Sequence, residues 1–414
     1  MTRPKVVGKV GNFNLCFRPE RLPSHAGVVL LHDFAQRLGV AQVLDDALAV
    51  KARERGYPER EAVGSLVDNT ILGGTWLSDL EVVRGAQGTQ EVLEVETVMA
   101  PTTAGDFLRK CDMGDVHDLQ RVILRLPQRV RPHQGATTCT SDLDSSISEQ
   151  ASHGKEGATK AYKGEIGDPP LFAFWAEAGE LLFSHLRRGS AHTARNAVWF
   201  LQERRKRLPA APLKRRADSG FYSQAGVAWC EQAGSPCTIT ADQPDPLLQA
   251  LATLPARRGQ PRPEYDWAEV AELRYQPVGW GRPSRSIGQR ELAERKTGEL
   301  YWKYHGVVTN DAIQPAAVVM GWHLQHADMG NALKEHQSGF GLEKLPTQKF
   351  PAKWAYLLMG QIACNLVAWC KRLVLPPSYQ RTTSKTMRPH LLNLAGKLVH
   401  SARRCVLVLS GGYR

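Results

Sequence analysis

The stretch TTCTSDLDSS, residues 137–146, alternates polar and apolar side chains and then ends in Asp-Leu-Asp-Ser-Ser. This pattern is typical of a strand that delivers acidic groups at its end. A second short stretch, Leu213–Asp218, ends in the same way and runs into the turn residues Ser219-Gly220. We therefore predict that Asp144 and Asp218 stand at the ends of two strands. Because Asp before Ser or Gly is also ordinary turn chemistry, spacing alone leaves a purely structural role open.

The elements around these aspartates indicate the fold. Periodicity predicts strands at Leu171–Ala176, Glu180–Leu186 and Cys237–Ala241, and helices at Ala191–Leu208 and Ser223–Ala233. The predicted order is three strands, a helix, a strand, a helix and a strand. This is the order of elements in an RNase H-like domain, in which the first and fourth strands are neighbours. The expected fold class is α/β, with an RNase H-like mixed-sheet core.

The rest of the chain divides by composition and periodicity. We predict five regions: a helical region for DNA binding or dimerisation at 1–130, the first part of the core at 131–241, an inserted loop- and β-rich segment at 242–300, the second part of the core at 301–375, and a basic tail at 376–414. Strands are expected at Tyr301–Asn310 and Cys405–Leu409, and helices at 327–337 and 352–373. A helical N-terminal domain without DNA contact stays open as an alternative.

Charge points to an anionic partner. The chain of 414 residues has 53 Lys and Arg against 41 Asp and Glu, a formal net charge of +12. Nucleic acid is the commonest partner of so basic a protein, although a merely basic protein has the same balance. The eight cysteines form no CxxC pair, which fits reduced thiols inside a cell. A phosphate-binding GxxxxGK[ST] loop is absent, as are a signal peptide and a membrane span, so we expect a cytoplasmic protein.

Two carboxylates that converge from different elements are what a divalent metal site for phosphodiester chemistry needs. Oxygen ligands suit Mg²⁺ or Mn²⁺. Basic side chains are candidates for neutralising DNA phosphates, with a solvated surface as the alternative. They are Lys206, Arg207, Lys214, Arg215, Arg216, Arg403 and Arg404. Trp280 or Trp302 in the inserted segment is a candidate for stacking on an unpaired base, and core or surface packing is the alternative.

Several motifs resemble those of bacterial insertion-sequence transposases of the DDE type. Asp142-Leu143-Asp144-Ser145-Ser146 is similar to the family's first-aspartate motif, and Arg216-Ala217-Asp218-Ser219-Gly220-Phe221 to the second. The segment from Gly339 to Pro346, followed by the helix through Asn365, looks like the region after the family's third acidic residue. The resemblance covers roughly residues 20–410, in the right order.

The third acidic position departs from this pattern. The family carries a catalytic glutamate on a helix, and here the downstream motifs place Gly330 at that position. His326 then replaces an upstream arginine, and Gln337 a later basic residue. Three interpretations follow: the chain is catalytically impaired, Glu335 substitutes as the third ligand (with Asp328 as a weaker candidate), or the alignment is shifted.

The resemblance implies a DNA transposase. Such a protein binds the terminal inverted repeats of an insertion sequence, cuts at the ends of the element and joins them to target DNA, working as a homo-oligomer on two ends at once. Asp144 and Asp218, with Glu335 as the best acidic substitute, would then be both catalytic and metal-binding. A nucleoid-associated location in a bacterial cytoplasm is expected. The alternatives are a transposase-derived DNA-binding protein without catalysis and a metal-dependent nuclease of the same fold.

Overall fold

The computed structural model describes residues 6–10, 13–16, 22–48, 56–150, 154–160, 166–188, 198–200, 202, 213–241, 245–253, 260–262, 265–401 and 404–409. The helices are α1 (Val29–Arg37), α2 (Val40–Asp45), α3 (Glu59–Leu72), α4 (Leu80–Arg84), α5 (Gln87–Val92), α6 (Pro101–Lys110), α7 (Met113–Gln134), α8 (Gln224–Gln232), α9 (Asp245–Ala252), α10 (Ala316–Leu324), α11 (Ala327–Lys334), α12 (Phe350–Leu373) and α13 (Ser384–Met387). The strands are β1 (Val6–Val10), β2 (Phe13–Cys16), β3 (Cys139–Ser145), β4 (Ser148–Glu149), β5 (Thr159–Lys160), β6 (Ile166–Asp168), β7 (Leu171–Trp175), β8 (Glu180–His185), β9 (Leu213–Ala217), β10 (Cys237–Thr240), β11 (Gln260–Arg262), β12 (Tyr265–Tyr275), β13 (Ser284–Glu294), β14 (Leu300–Thr309), β15 (Gly396–Ser401) and β16 (Arg404–Leu409).

One sheet organises the core. Its nine strands lie in the order β11-β12-β13-β14-β10-β9-β3-β7-β8. Strand β3 pairs antiparallel with β7, which pairs antiparallel with β8, whereas β3, β9 and β10 run parallel. The five strands β8-β7-β3-β9-β10 therefore have the third-second-first-fourth-fifth order of an RNase H-like sheet. The predicted α/β fold class is confirmed.

The segment between β10 and β14 is more regular than its Pro and Gly content suggested. Strands β12 and β13 have 11 residues each and pair antiparallel with each other and with β14, which continues the sheet beyond β10. Pro277 and Pro283 fall in the connection between β12 and β13, where a missing N–H costs no ladder bond. The prolines mark the turn of a long hairpin and do not exclude strands.

The N-terminal helices share one hydrophobic core with α12. This helix has 24 residues and is about 36 Å long at 1.5 Å per residue. It packs on α3 and α7 on one side and on β8 on the other, so that most of its side chains are buried. Within the predicted helical region, α1 and α2 are separated at Gly39, whose φ of +65° is left-handed and favours glycine.

Two polar residues inside α12 complete the backbone hydrogen bonds of the edge strand β8. The side chain of Asn365 accepts a hydrogen bond from the Leu181 N–H at 2.8 Å, and both Asn365 and Gln361 donate to the Leu181 carbonyl, at 2.9 and 2.7 Å. The ladder between β7 and β8 is irregular just here, between Ala173 and Phe174, so these amides satisfy buried backbone groups that would otherwise be costly. No helix in the described ranges is long and apolar enough to cross a bilayer.

Some elements were not predicted from the sequence. They are the β1–β2 hairpin, helix α9 and strand β15, which pairs with β16. The predicted helix Ala191–Leu208 lies mainly outside the described residues, although 198–200 and 202 are helical.

Candidate active site

The ends of strands β3 and β9 bring two carboxylates together. The strands are parallel neighbours with Leu143 opposite Ala217, so the residues that follow each pair, Asp144 and Asp218, stand at the same edge of the sheet. The two carboxyl groups are close enough for each to shift the pKa of the other. Ser145 Oγ also donates to Asp218 Oδ2 at 3.5 Å. The pair that the sequence predicted as a metal site is therefore assembled in three dimensions.

Burial makes this pair electrostatically unfavourable when both groups are ionised. Burial and, after it, the charge of Asp144 together raise the pKa of Asp218 to about 7. Burial also raises the pKa of Asp144. The Ser145 N–H, which donates to Asp144 Oδ1 at 2.7 Å, lowers this pKa and offsets part of the rise. Two carboxylates that resist ionising side by side are stabilised by a cation between them.

One oxygen of the pair has an unused acceptor position. Asp218 Oδ1 is buried and has no hydrogen-bond partner within the described part of the chain. A buried acceptor without a partner is costly unless an ion or water meets it. Because carboxylate oxygens are the ligands that Mg²⁺ and Mn²⁺ prefer, the residues present fit such an ion.

A buried ion pair fixes the two strands just before the aspartates. Arg216 Nε and Nη2 donate to Asp142 Oδ1 and Oδ2 at 2.6 and 2.8 Å, and both side chains are about 3% exposed. These residues are opposite each other across β3 and β9, two positions before Asp144 and Asp218. A bidentate pair of this kind restricts the relative position of the strands, so it positions the carboxylates that follow.

Two further cations face the aspartates. The His326 Nδ1 lies 3.2 Å from Asp142 Oδ1, and its charge, when protonated, favours the ionised forms of Asp144 and Asp218. Arg187 is 3% exposed, its Nε donates to the Pro169 carbonyl at 2.7 Å, and it interacts electrostatically with Asp218. Burial lowers the pKa of Arg187 to about 10. No pattern in the sequence indicated Arg187, and His326 was suggested only through alignment with the family arginine.

The residue that the alignment places at the third acidic position, Gly330, lies in a helix beside β3. Helix α11, which contains Gly330, packs against β3. Gly330 is exposed, four residues after His326, so the two positions share a helix face. Apart from its chain neighbours and the backbone of its own helix, no described atom lies within 4 Å of the place that a Cβ on Gly330 would take. A carboxylate side chain would fit at 330, and the natural residue offers none.

The structure does not bring Glu335 to the pair. Its carboxylate accepts a hydrogen bond from the Ser384 backbone N–H and interacts electrostatically with Lys371 and Arg388. In the described residues, no third His, Cys, Asp or Glu offers a ligand atom within 4.8 Å of both aspartates. The assignment of Glu335 as a ligand is therefore corrected: five residues on from 330, its side chain points to another side of the helix. Asp328 is exposed.

The predicted DNA-binding residues fall into three groups. Arg215 and Arg216 are 1% and 2% exposed, so the prediction that they neutralise phosphates is wrong. Arg215 instead lies 4.4 Å from the ring of Trp229. Lys214 and Arg404 are exposed and stay candidates. Lys206, Arg207 and Arg403 lie outside the described residues.

The two tryptophans of the inserted segment differ in environment. Trp280 is packed against the sheet core, with its ring 5.1 Å from that of Tyr222. Trp302, in β14, is 43% exposed, and Arg290 lies 4.9 Å from the centre of its ring. The packing alternative therefore describes Trp280, and Trp302 keeps an accessible face.

Comparison with known proteins identifies a family. The family model described as "Transposase DDE domain group 1" matches residues 8–414. Among solved structures, the piggyBac transposase synaptic complex with hairpin DNA is similar at 10% identity and a TM-score of 0.48, over 89% of this chain and 79% of that one. A search of curated proteins gives no match.

Proposed function

Because the chain belongs to the DDE transposase family, in domain group 1, we propose that it binds the ends of a mobile DNA element and that Asp144 and Asp218 hold a divalent metal ion there. The observation that carries this proposal is the meeting of two half-buried carboxylates at the ends of β3 and β9. When bound, Mg²⁺ or Mn²⁺ would activate the attacking oxygen and stabilise the leaving one.

The residues around the pair support a positioning role for the protein. The Asp142–Arg216 ion pair holds the two strands in register. Arg187 and His326 both interact electrostatically with Asp218, and a positive charge on either side chain favours the ionised carboxylate that a metal ion needs.

We further propose that this chain is a weak or inactive nuclease, since position 330 supplies no carboxylate. A transposase-derived DNA-binding protein without catalysis is the second candidate function, and the open space at Gly330 is the observation that favours it. Two aspartates hold a metal ion less well than three carboxylates do, because each lost ligand removes a charge and a fixed oxygen.

Restoring the carboxylate tests the proposal. The experiment compares the wild-type chain with Gly330→Glu and with Gly330→Gln, a control of the same size without charge. The substrate is a plasmid that carries the DNA flanking the reading frame, with Mg²⁺ or Mn²⁺. We expect all three proteins to shift the flanking DNA in a gel, and only Gly330→Glu to cut it. Adding Asp144→Asn to Gly330→Glu should abolish that cutting.

Other outcomes identify the alternatives. Cutting by the wild-type chain that disappears in Glu335→Ala would restore Glu335 as the third ligand and contradict the open-site proposal. Cutting that ignores the flanking sequence would identify a nuclease of the same fold. If Gly330→Glu binds the DNA but neither ion supports cutting, the assignment of position 330 is wrong.

A further inference from the structure

A second cluster of metal-ligating side chains lies at the C-terminal hairpin. His400 in β15 and Cys405 in β16 are directly opposite each other in the hairpin, so their side chains share one face. Glu91 of α5 meets them there. His400 Nε2 is 2.5 Å from Glu91 Oε1, and Cys405 Sγ is 3.9 Å from each of those two atoms. This cluster shares no residue with the Asp144–Asp218 pair.

The same hairpin face is anchored on the N-terminal helices. Leu398 and Leu407, which are also opposite each other, pack against the core formed by those helices. The Gly396 N–H donates to the Pro23 carbonyl at 3.0 Å. A Cβ on Gly396 would lie 2.7 Å from the Cβ of Ala26, so the strand is in close contact there. The three side chains are therefore brought together by packing between separate elements, and not by neighbouring positions in one exposed turn.

We propose that Glu91, His400 and Cys405 bind a zinc ion that fastens the C-terminal hairpin to α5. Sulfur, imidazole and carboxylate are the ligand types that zinc takes in proteins. Bond lengths of about 2.3 Å to sulfur and 2.0 Å to nitrogen place tetrahedral ligand atoms roughly 3.5 Å apart. The 3.9 Å separations of Cys405 Sγ are close to that value. The closer His400–Glu91 contact opens slightly when the ion enters.

The accessibility of the cluster fits an ion taken from solution. The side chains of His400 and Glu91 are 52% and 24% exposed. Cys405 is exposed, whereas six other cysteines are buried, namely Cys111, Cys139, Cys230, Cys237, Cys364 and Cys370. On binding, the Cys405 thiol releases its proton to solvent. Three protein ligands leave a fourth position for water. Because two of the ligand atoms are sulfur and nitrogen, this site differs in ligand type from the all-oxygen site at the sheet edge.

Cobalt substitution is the decisive test. Purified full-length protein is stripped with a chelator and titrated with Co²⁺, and the thiolate-to-cobalt charge-transfer absorption in the near ultraviolet is recorded. We expect this absorption in the wild-type chain, its loss when Zn²⁺ is added, and its absence in Cys405→Ser. His400→Ala and Glu91→Gln should weaken cobalt binding at least about tenfold, since each removes one ligand.

Matched controls separate this site from other acidic and cationic surfaces. Glu96→Gln and His390→Ala change exposed residues of the same types nearby in sequence, and both should retain the absorption. Asp218→Asn should retain it as well, which makes the result independent of the proposed catalytic pair. No thiolate absorption in the wild-type chain, or absorption that persists in Cys405→Ser, would overturn the proposal.

Discussion

Replacing Arg216 by methionine distinguishes a structural arginine from a DNA contact. The guanidinium makes two hydrogen bonds to Asp142, at 2.6 and 2.8 Å, and Nη1 donates to the Trp322 carbonyl at 2.8 Å. Methionine has a similar length and no charge. The substitution therefore leaves the Asp142 carboxylate buried, with the His326 contact at 3.2 Å remaining.

The expected loss of stability follows from that burial. Removing one partner of a buried ion pair costs about 3–5 kcal/mol, because the other charge stays in a place of low dielectric constant. Because the His326 contact with Asp142 remains, we expect Arg216→Met to lower the free energy of unfolding by roughly 3–4 kcal/mol, the lower half of this range. Asp142→Asn combined with Arg216→Met removes both charges and should recover more than half of the loss.

Urea unfolding followed by tryptophan fluorescence measures the effect. Lys214→Met is the matched control, since Lys214 lies on the same strand and is exposed. It should change the free energy of unfolding by less than about 0.5 kcal/mol. DNA affinity is measured in parallel over a range of salt concentrations, under conditions in which each variant is folded.

The salt dependence supplies the result that would refute the reasoning. Loss of one phosphate contact lowers the slope of log K against log salt by about 0.9. We expect no such change for Arg216→Met. If Arg216→Met kept its unfolding free energy within about 0.5 kcal/mol and lost that slope, Arg216 would be a surface DNA contact and its burial here would be wrong.

Three other predictions concern helix propensity, pH and metal. Gly330→Ala should stabilise the chain by about 0.5–1 kcal/mol, because this helical position is exposed and open. Gly360→Ala should destabilise the chain, because a Cβ there would lie 2.4 Å from Leu342 Cδ1. Chemical unfolding measures both effects. Burial lowers the pKa of His336 to about 3, so the free energy of unfolding should be highest above pH 6.5 and fall towards pH 3 by up to about 1.4 kcal/mol per pH unit. This fall should be smaller in His336→Leu when the free energy of unfolding is measured against pH. The same fall in both proteins would contradict the prediction. Burial raises the pKa of Asp218 to about 7, so without metal the stabilisation by its protonated carboxyl group is present below pH 3.8 and lost as pH rises through 7. Asp218→Asn should therefore be more stable than the wild type at pH 8 without metal. Mg²⁺ should raise the melting temperature of the wild type and leave that of Asp218→Asn unchanged.

The meeting of Asp144 and Asp218 was predictable because its signal is local. A strand that ends in an acidic residue followed by small residues can be read from sequence, and the order of strands and helices predicts which strands are adjacent. Asp144 and Asp218 therefore needed no information about tertiary contacts. The third ligand was not predictable in the same way, since the orientation of Glu335 depends on its contacts with Ser384, Lys371 and Arg388, far along the chain.

The basic residues show the corresponding limit. Lys214, Arg215 and Arg216 are a single basic run in sequence, and in a strand successive side chains point to opposite faces. Alternation alone would bury one of the last two and expose the other. Both are buried because β9 is an inner strand covered on both faces, by α8 with Trp229 on one side and by Trp322 with Asp142 on the other. A charge run on a central strand is thus weak evidence for a DNA-binding surface.

The surroundings of the two aspartates explain how a site can be complete in its framework and lack one ligand. The ion pair that positions the strands, the cations beside the carboxylates and the helix that faces them are all present, and each depends on residues other than 330. Glycine at 330 costs about 1 kcal/mol of helix propensity against alanine and disturbs no contact. Under the proposed assignment, glycine in place of a glutamate at 330 is therefore inexpensive for folding and severe for metal binding. A single substitution would then separate DNA recognition from cleavage without changing the fold, and Gly330→Glu would join them again.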